Sequence, residues 1–194
     1  KTFYQGFVAE AMERFCLNTE VLDNSGRKHK GVLNGQDLAG WEATYEATLN
    51  YHYAGLEIGK CGPWSQGPVQ LQTLALLNEM GVAEWYPVST DFVHGVTEAL
   101  KLAFADREAY YGDPDFVKVP LKKLLSREYN QERSQEISDR ASLELRPGKI
   151  SGFEVRMPEF DSSGRGDDRF SAMGIGEPTV SKKGETRGDT CHVD

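Results

Sequence analysis

From residue 4 to residue 17, apolar side chains recur at helical spacing through Phe7, Val8, Ala11, Met12 and Phe15, which predicts an amphipathic helix. The polar, turn-rich run from Asp23 to Gly31 ends it. Asn34 stands as a cap before a short helix over 36–40. Residues 42–53 read as a strand, Ala54-Gly55 as a turn and 56–61 as the returning strand. Such a hairpin cannot hold alone and must dock on something. Pro68 to Met80 predicts a further helix, with proline tolerated in its first turn and Gly81 at its end. Its apolar positions Val69, Leu71, Leu74, Ala75, Leu77 and Met80 cover more than one stripe, so several of its sides are expected to be buried. Ser89-Thr90-Asp91 caps the longest helix, which runs to Tyr111 and stops at Gly112-Asp113-Pro114. Shorter helical pieces follow near 121–125 and 126–138. The order predicts an α+β fold over residues 1–147, mostly helical with one β-hairpin. From Pro147 onward glycines recur among charges and serines and the apolar period is lost, so 148–189 is expected to be a Gly-rich mobile linker.

Composition narrows the function classes. Hydrophobic residues make up 39% and charged residues 27% of the 194, which argues for a globular piece rather than a disordered one. The formal net charge is −8, and without a basic stripe a nucleic-acid partner is not expected. No apolar run approaches the roughly 20 residues of a membrane span. The opening Lys1-Thr2-Phe3 is no signal peptide, which leaves localisation open between periplasmic or secreted and cytoplasmic. Cys16, Cys61 and Cys191 are odd in number and lack Cys-x-x-Cys spacing, which speaks against a disulfide framework or a structural zinc site. A metal site from Cys61, Cys191 and His192 has no spacing to support it, and neither a metal nor a cofactor is expected.

The chemistry concentrates at the end of the chain. Thr190 heads a short alternating stretch behind Gly188-Asp189, as a self-cleaving N-terminal nucleophile requires. Breaking the Asp189–Thr190 bond frees an α-amino group whose ordinary pKa is about 7.7–8.0. That amine can serve as general base for the hydroxyl of the same residue. Cys191 is the rival nucleophile, but residues 190 and 191 point to opposite faces of a strand and only one can face a site. His192 falls on the face of Thr190, where a structural hydrogen bond is the commoner role.

Residues 103–120, Ala-Phe-Ala-Asp-Arg-Glu-Ala-Tyr-Tyr-Gly-Asp-Pro-Asp-Phe-Val-Lys-Val-Pro, strongly resemble the γ-glutamyltransferase (γ-glutamyltranspeptidase) family. Phe3-Tyr4-Gln5-Gly6 with Ala9-Glu10, residues 33–38, Gly62 to Gly67 and Leu145-Arg146-Pro147-Gly148-Lys149 resemble further family segments in the right order. Trp64 and Gln66 interrupt the family's proline-rich Ser-Ser-Gly turn, and Cys191 stands where the family has Thr or Ser, marking a divergent branch. The resemblance implies a middle piece of an Ntn-hydrolase αββα sandwich: residues 1–189 from the large subunit, 190–194 from the start of the small one. It implies Thr190 as catalytic nucleophile, Asp189 and Thr190 as the autoprocessing pair, and no substrate-binding residue within the chain. The implied partners are a γ-glutamyl or related amide substrate and the remainder of the same polypeptide, and exposed apolar faces leave room for self-association. The chain as given is expected to be inactive and uncleaved.

Other candidates read as architecture. Asp106-Arg107 with Asp113 and Asp115 could be a catalytic cluster, but on a helix end beside an Asp-Pro turn they are expected to lock helix to loop. Ser65 sits in a Gly/Pro turn without triad spacing. Trp41, Trp64 and Trp85 are expected in the core. Two functions remain beside the γ-glutamyl reading: an Ntn amidohydrolase for another amide, such as oxamate or a cephalosporin acyl group, and a non-catalytic helical interaction module.

Overall fold

The structure is a computed structural model and describes residues 1–22 and 28–156. It is mostly helical, with two small antiparallel hairpins. The described residues divide into two compact units, one over 1–44 and one from residue 45 onward.

The first unit opens with α1 (Thr2–Gln5) and α2 (Phe7–Asn18). The sequence predicts one helix here. Gly6 leaves helical geometry (φ −124°, ψ −156°), and a Cβ on it would lie 2.9 Å from the Thr2 carbonyl oxygen, so the chain breaks between the two. The run expected to be a plain loop instead pairs β1 (Glu20–Leu22) with β2 (Lys28–Lys30), setting Glu20 opposite Lys30. This second hairpin corrects the expectation of one. Three-residue strands are too short to declare a period, and the pairing of opposite charges supplies what the pattern lacks. Helix α3 (Gly35–Gly40) starts as expected at Asn34, whose Oδ1 accepts from the N–H of Gln36 (2.8 Å) and Asp37 (3.1 Å) while Asp37 Oδ2 accepts from Asn34 N–H (3.0 Å). This reciprocal capping box satisfies donors that the first turn leaves orphaned. Glu13 of α2 accepts from Gly35 N–H (3.0 Å) and ties the two helices.

The second unit begins with β3 (Leu49–Tyr53) and β4 (Leu56–Lys60), paired from Leu49↔Lys60 to Tyr53↔Leu56. Ala54 (φ 50°) and Gly55 (φ 81°) make the two-residue connection, the positive-φ pair that matches strand twist. The expected strand over 42–53 shrinks to 49–53, because β4 offers only five residues to pair with.

Helix α4 (Gly67–Glu79) and helix α5 (Thr90–Tyr110) bury nine residues each, which makes this pair the body of the unit. Gly81 (φ 70°) follows α4, and a 3₁₀ turn over Val82–Glu84 leads on. Ser89 Oγ accepts from Phe92 N–H (3.1 Å) and caps α5 as expected. Val69, Leu76 and Leu77 of α4 pack with Ala99, Leu102 and Ala103 of α5 in one cluster. A Cβ on Gly95 would meet the Trp85 ring at 2.6 Å (Cη2), so the glycine is what lets that indole lie on α5. Trp85 is thus against the core, whereas Trp41 and Trp64 are each 59% exposed, correcting the expectation for those two. Trp41 stacks on Tyr4 (5.7 Å between centroids) and the Trp64 indole N–H donates to Glu46 (2.7 Å). Before α5, a turn closed by Ser89 N–H donating to the Tyr86 carbonyl (3.1 Å) holds Val88 at φ 60°. For a β-branched side chain the left-handed region costs roughly 1–2 kcal/mol.

Helices α6 (Leu121–Leu124) and α7 (Arg127–Ser134) complete the unit. Leu124, Tyr129 and Ile150 join Ala109 and Tyr110 in a second cluster.

Candidate functional site

Asp189 and Thr190, and with them Cys191 and His192, lie outside the described residues. Of the other acidic candidates, Asp106 enters a buried network around α5, whereas Asp113 and Asp115 stay in the turn that follows the helix.

Asp106 projects from α5 and has no solvent exposure. Its Oδ2 accepts from Gln72 Nε2 of α4 (2.6 Å) and from the Tyr129 hydroxyl of α7 (2.9 Å). Its Oδ1 accepts from Gly148 N–H (2.7 Å) and Arg133 Nη2 (3.3 Å). Burial raises its pKa above the ordinary carboxylate value, although Arg133, the Gly148 N–H, Gln72 and Tyr129 all favour the charged form. Burial would lower the Arg133 pKa, but Asp106 and Glu136 outweigh it and hold the guanidinium charged. Tyr129 is pushed up by burial and by the Asp106 charge. Gly148 must be glycine, since a Cβ there would lie 2.7 Å from Arg133 Cδ.

About two turns back along α5, Glu98 is also buried. It accepts from Lys101 Nζ (2.7 Å), Arg146 Nη2 (2.7 Å) and Ser142 N–H (3.2 Å). Burial alone would raise its pKa, yet Lys101, the Ser142 N–H and Arg146 together bring it below the usual value. Two carboxylates on one helix therefore fasten residues 142–148 through backbone and side-chain bonds. Gly148 and Ile150, the opening of the stretch expected to be a linker, are built into this packing; the part of that stretch beyond Arg156 lies outside the described residues.

This geometry bears on catalysis directly. Every oxygen of Asp106 already receives two donors and none reaches solvent, so it has no lone pair to offer an outside substrate. Asp113 Oδ1 accepts from Asp115 N–H (3.0 Å), and its carbonyl accepts from Phe116 and Val117 N–H (3.0 and 2.8 Å), which makes it a turn residue. Arg107 pairs with its neighbour Glu108 (2.8 Å) and covers the Phe104 ring. The Ser65 hydroxyl donates to the Gly62 carbonyl (2.9 Å) and accepts from Gly67 N–H (3.0 Å) at the entry to α4. It is committed to the turn rather than poised as a nucleophile. Between this turn and the end of α5 runs an open polar groove lined by Trp64, Gln66, Arg107, Tyr111 and Asp113 among others. Among the described residues no group of three or more His, Cys, Asp or Glu could hold a metal ion, and no helix is long and apolar enough to cross a membrane.

Glu98, Gln72, Tyr129 and Arg133 escape sequence reading. Gln72 and Glu98 interrupt apolar runs of α4 and α5, which polar side chains also do at solvated positions, and Tyr129 and Arg133 lie in a strongly polar helix that signals no burial.

A model of the gamma-glutamyltranspeptidase family matches residues 1–193, and the chain belongs to that family. It is 31% identical over 156 residues to the glutathione hydrolase proenzyme of Escherichia coli, covering 78% of this chain and 25% of that relative. To the acylase ACY 1 proenzyme of a Pseudomonas species it is 37% identical over 120 residues, 61% of this chain and 20% of the relative. Among solved structures, LmbA2991HD shares 46% identity at a TM-score of 0.65, over 81% of this chain and 26% of that one. The chain thus spans about a quarter of the length of the curated relatives it matches.

Proposed function

We propose that these residues belong to a longer precursor that cleaves itself between Asp189 and Thr190 and then works as an N-terminal threonine γ-glutamyltransferase or hydrolase, built on an αββα sandwich in the whole protein. The observation that carries this reading is the family match over residues 1–193, together with Gly188-Asp189-Thr190 in the sequence.

The chemistry follows in two stages. The Thr190 hydroxyl oxygen attacks the Asp189 carbonyl carbon, and the peptide C–N bond breaks as the amine leaves with a proton, so the acyl group moves from nitrogen to oxygen. Water hydrolyses the resulting ester, giving a carboxylate on Asp189 and restoring the Thr190 hydroxyl. The freed α-amino group then takes the hydroxyl proton as Thr190 attacks the side-chain amide of a glutathione-like γ-glutamyl compound. The substrate amine departs, and water or a second amine collects the acyl group. The buried carboxylates of α5 have no step in this scheme; their work is to hold the surrounding helices and the 142–148 segment.

A second reading keeps the nucleophile and changes the acyl group, and the identity to an acylase supports it. In the full-length precursor, Thr190→Ala is expected to run as one uncut band on a denaturing gel with no amide turnover, while Cys191→Ala processes nearly normally. A normally split and active Thr190→Ala protein would overturn the proposal. Turnover of a γ-glutamyl anilide against the glutaryl anilide, which lacks the α-amino group, separates the two substrate readings.

A further inference from the structure

Residues 142–148 lie against α5 as a strap with a buried carboxylate at each end, and the two fasteners differ in chemistry. At one end Glu98 Oε1 accepts from Lys101 Nζ and Ser142 N–H, and Oε2 accepts from Arg146 Nη2. All three groups can only donate. A proton on either oxygen therefore meets a donor, and it strips the counter-charge from Lys101 and Arg146. At the other end Asp106 Oδ1 also faces obligate donors, Gly148 N–H and Arg133, but Oδ2 faces the Tyr129 hydroxyl. A hydroxyl accepts as well as donates. A proton on Oδ2 can thus be taken by the Tyr129 oxygen while Gln72 still donates to Oδ2 and Oδ1 keeps its hold on the strap. Arg133 then retains Glu136 as its counter-charge (2.5 Å). The groups that face Asp106 are Arg133 and Tyr129 from α7, the neutral Gln72 from α4, and Tyr110 and Tyr111 beside it.

Burial divides the strap in the same place. Leu143 and Leu145 are exposed, whereas Gly148 and Ile150 are buried. Between them Arg146 is held at its carbonyl by Arg133 Nη2 (2.5 Å) and donates through Nη1 to the Glu136 carbonyl (2.8 Å). The Gly148 carbonyl accepts from the Tyr110 hydroxyl. We propose that the strap is an acid-operated hinge: protonation of Glu98 lifts residues 142–145 off α5 about Arg146, while protonation of Asp106 leaves Gly148 in place. The titration of the two acids agrees. Burial raises Asp106, whereas at Glu98 burial is outweighed by Lys101, the Ser142 N–H and Arg146. Asp106 therefore takes its proton first as pH falls, with the strap still closed, and the Glu98 end opens afterwards. His94 of α5 donates to the Ser138 carbonyl (2.7 Å), upstream of the strap. The hinge uses neither Thr190 nor any residue of the cleavage chemistry.

Amide exchange resolved to single residues in the full-length protein, corrected for the intrinsic rate at each pH, reads the two N–H groups that fasten the strap. In Glu98→Gln at pH 7 the side-chain amide stands in for the protonated carboxyl. Protection of the Ser142 N–H is expected to fall about tenfold or more, as loss of a charged acceptor implies, while that of Gly148 stays within about twofold of wild type. An unchanged Ser142, or equal losses at both amides, overturns the proposal. In the unmodified protein, lowering the pH is expected to release Ser142 before Gly148. Tyr129→Phe removes the hydroxyl that takes the Asp106 proton and is expected to reverse that order. The same order in wild type and Tyr129→Phe, or release of Gly148 first in wild type, overturns the proposal. The exchange pattern is independent of self-cleavage, so its failure and that of the catalytic reading are told apart by the Thr190→Ala gel.

Discussion

The helix α2 of the first unit and the helices α4 and α5 of the second make opposite use of their apolar residues. Helix α2 has the clean stripe, yet it buries only Ala9, and Phe7 and Phe15 stand 70% and 55% exposed. Helix α4 has no single stripe and buries nine residues, Gln72 and Thr73 among them. An amphipathic pattern therefore states that a face is suited to burial without stating against what, whereas a helix apolar on all sides has already declared itself a core element. The second unit also takes polar groups into that core, and its two buried carboxylates are tolerated because Asp106 meets four donors and Glu98 three.

The largest effect expected from this contrast is at Asp106. Asp106→Asn turns one acceptor oxygen into a donor facing donors and leaves Arg133 without its buried counter-charge. A loss of about 3–5 kcal/mol is expected in equilibrium urea unfolding, the range for breaking a buried pair. A loss within about 0.5 kcal/mol would mean the network is not formed.

Glu98→Gln comes next, at about 2 kcal/mol near pH 7, smaller because Lys101 and Arg146 keep some contact with solvent. Its pH dependence carries more information. Glu98 is held below its ordinary value of 4.5 in the folded state, so its contribution is present above that value and fades as pH falls through the folded pKa. Wild type and Glu98→Gln are thus expected to converge in stability only once the pH has fallen below the depressed folded-state pKa of Glu98. Asp106 is raised instead, so its ionisation opposes folding and protonation on the acid side works in the opposite direction. Unfolding curves of wild type and the two variants, taken from pH 7 stepwise into the acid range, check both signs.

The smallest change is expected in the first unit. Phe15→Ala on the open stripe of α2 should alter the stability of residues 1–194 by no more than about 0.5 kcal/mol, as at other exposed positions. A loss of 2 kcal/mol or more would show that the stripe is covered in solution and would erase the contrast between the two units.

The residues that could be read in advance share one property. Asn34, Ser89, Ala54-Gly55 and Gly81 act within a few residues of themselves, through caps and turns whose geometry depends only on nearby backbone. Asp106 was expected to be architectural from its place near a helix end beside an Asp-Pro turn, but its bonds go to distant segments rather than to that turn. Its partners were not legible: Gln72, Tyr129, Arg133 and Gly148 lie 34, 23, 27 and 42 positions away. Trp41 and Trp64 were misplaced because a large aromatic signals burial on average, and each found a surface partner instead, Tyr4 and Glu46.

The sequence by itself therefore determined the starts of α3 and α5, the ends of α4 and α5, the hairpin at Ala54-Gly55, and the motifs that tie the chain to its family. Tertiary structure alone decided which acids are buried, that the segment around Gly148 is fastened to α5, that Glu20–Leu22 pairs with Lys28–Lys30, and that α2 keeps its apolar stripe open. The physical reason is one of range. Backbone preferences and caps act over one turn of chain, while desolvation and charge pairing depend on which distant groups folding brings within about 3 Å of one another.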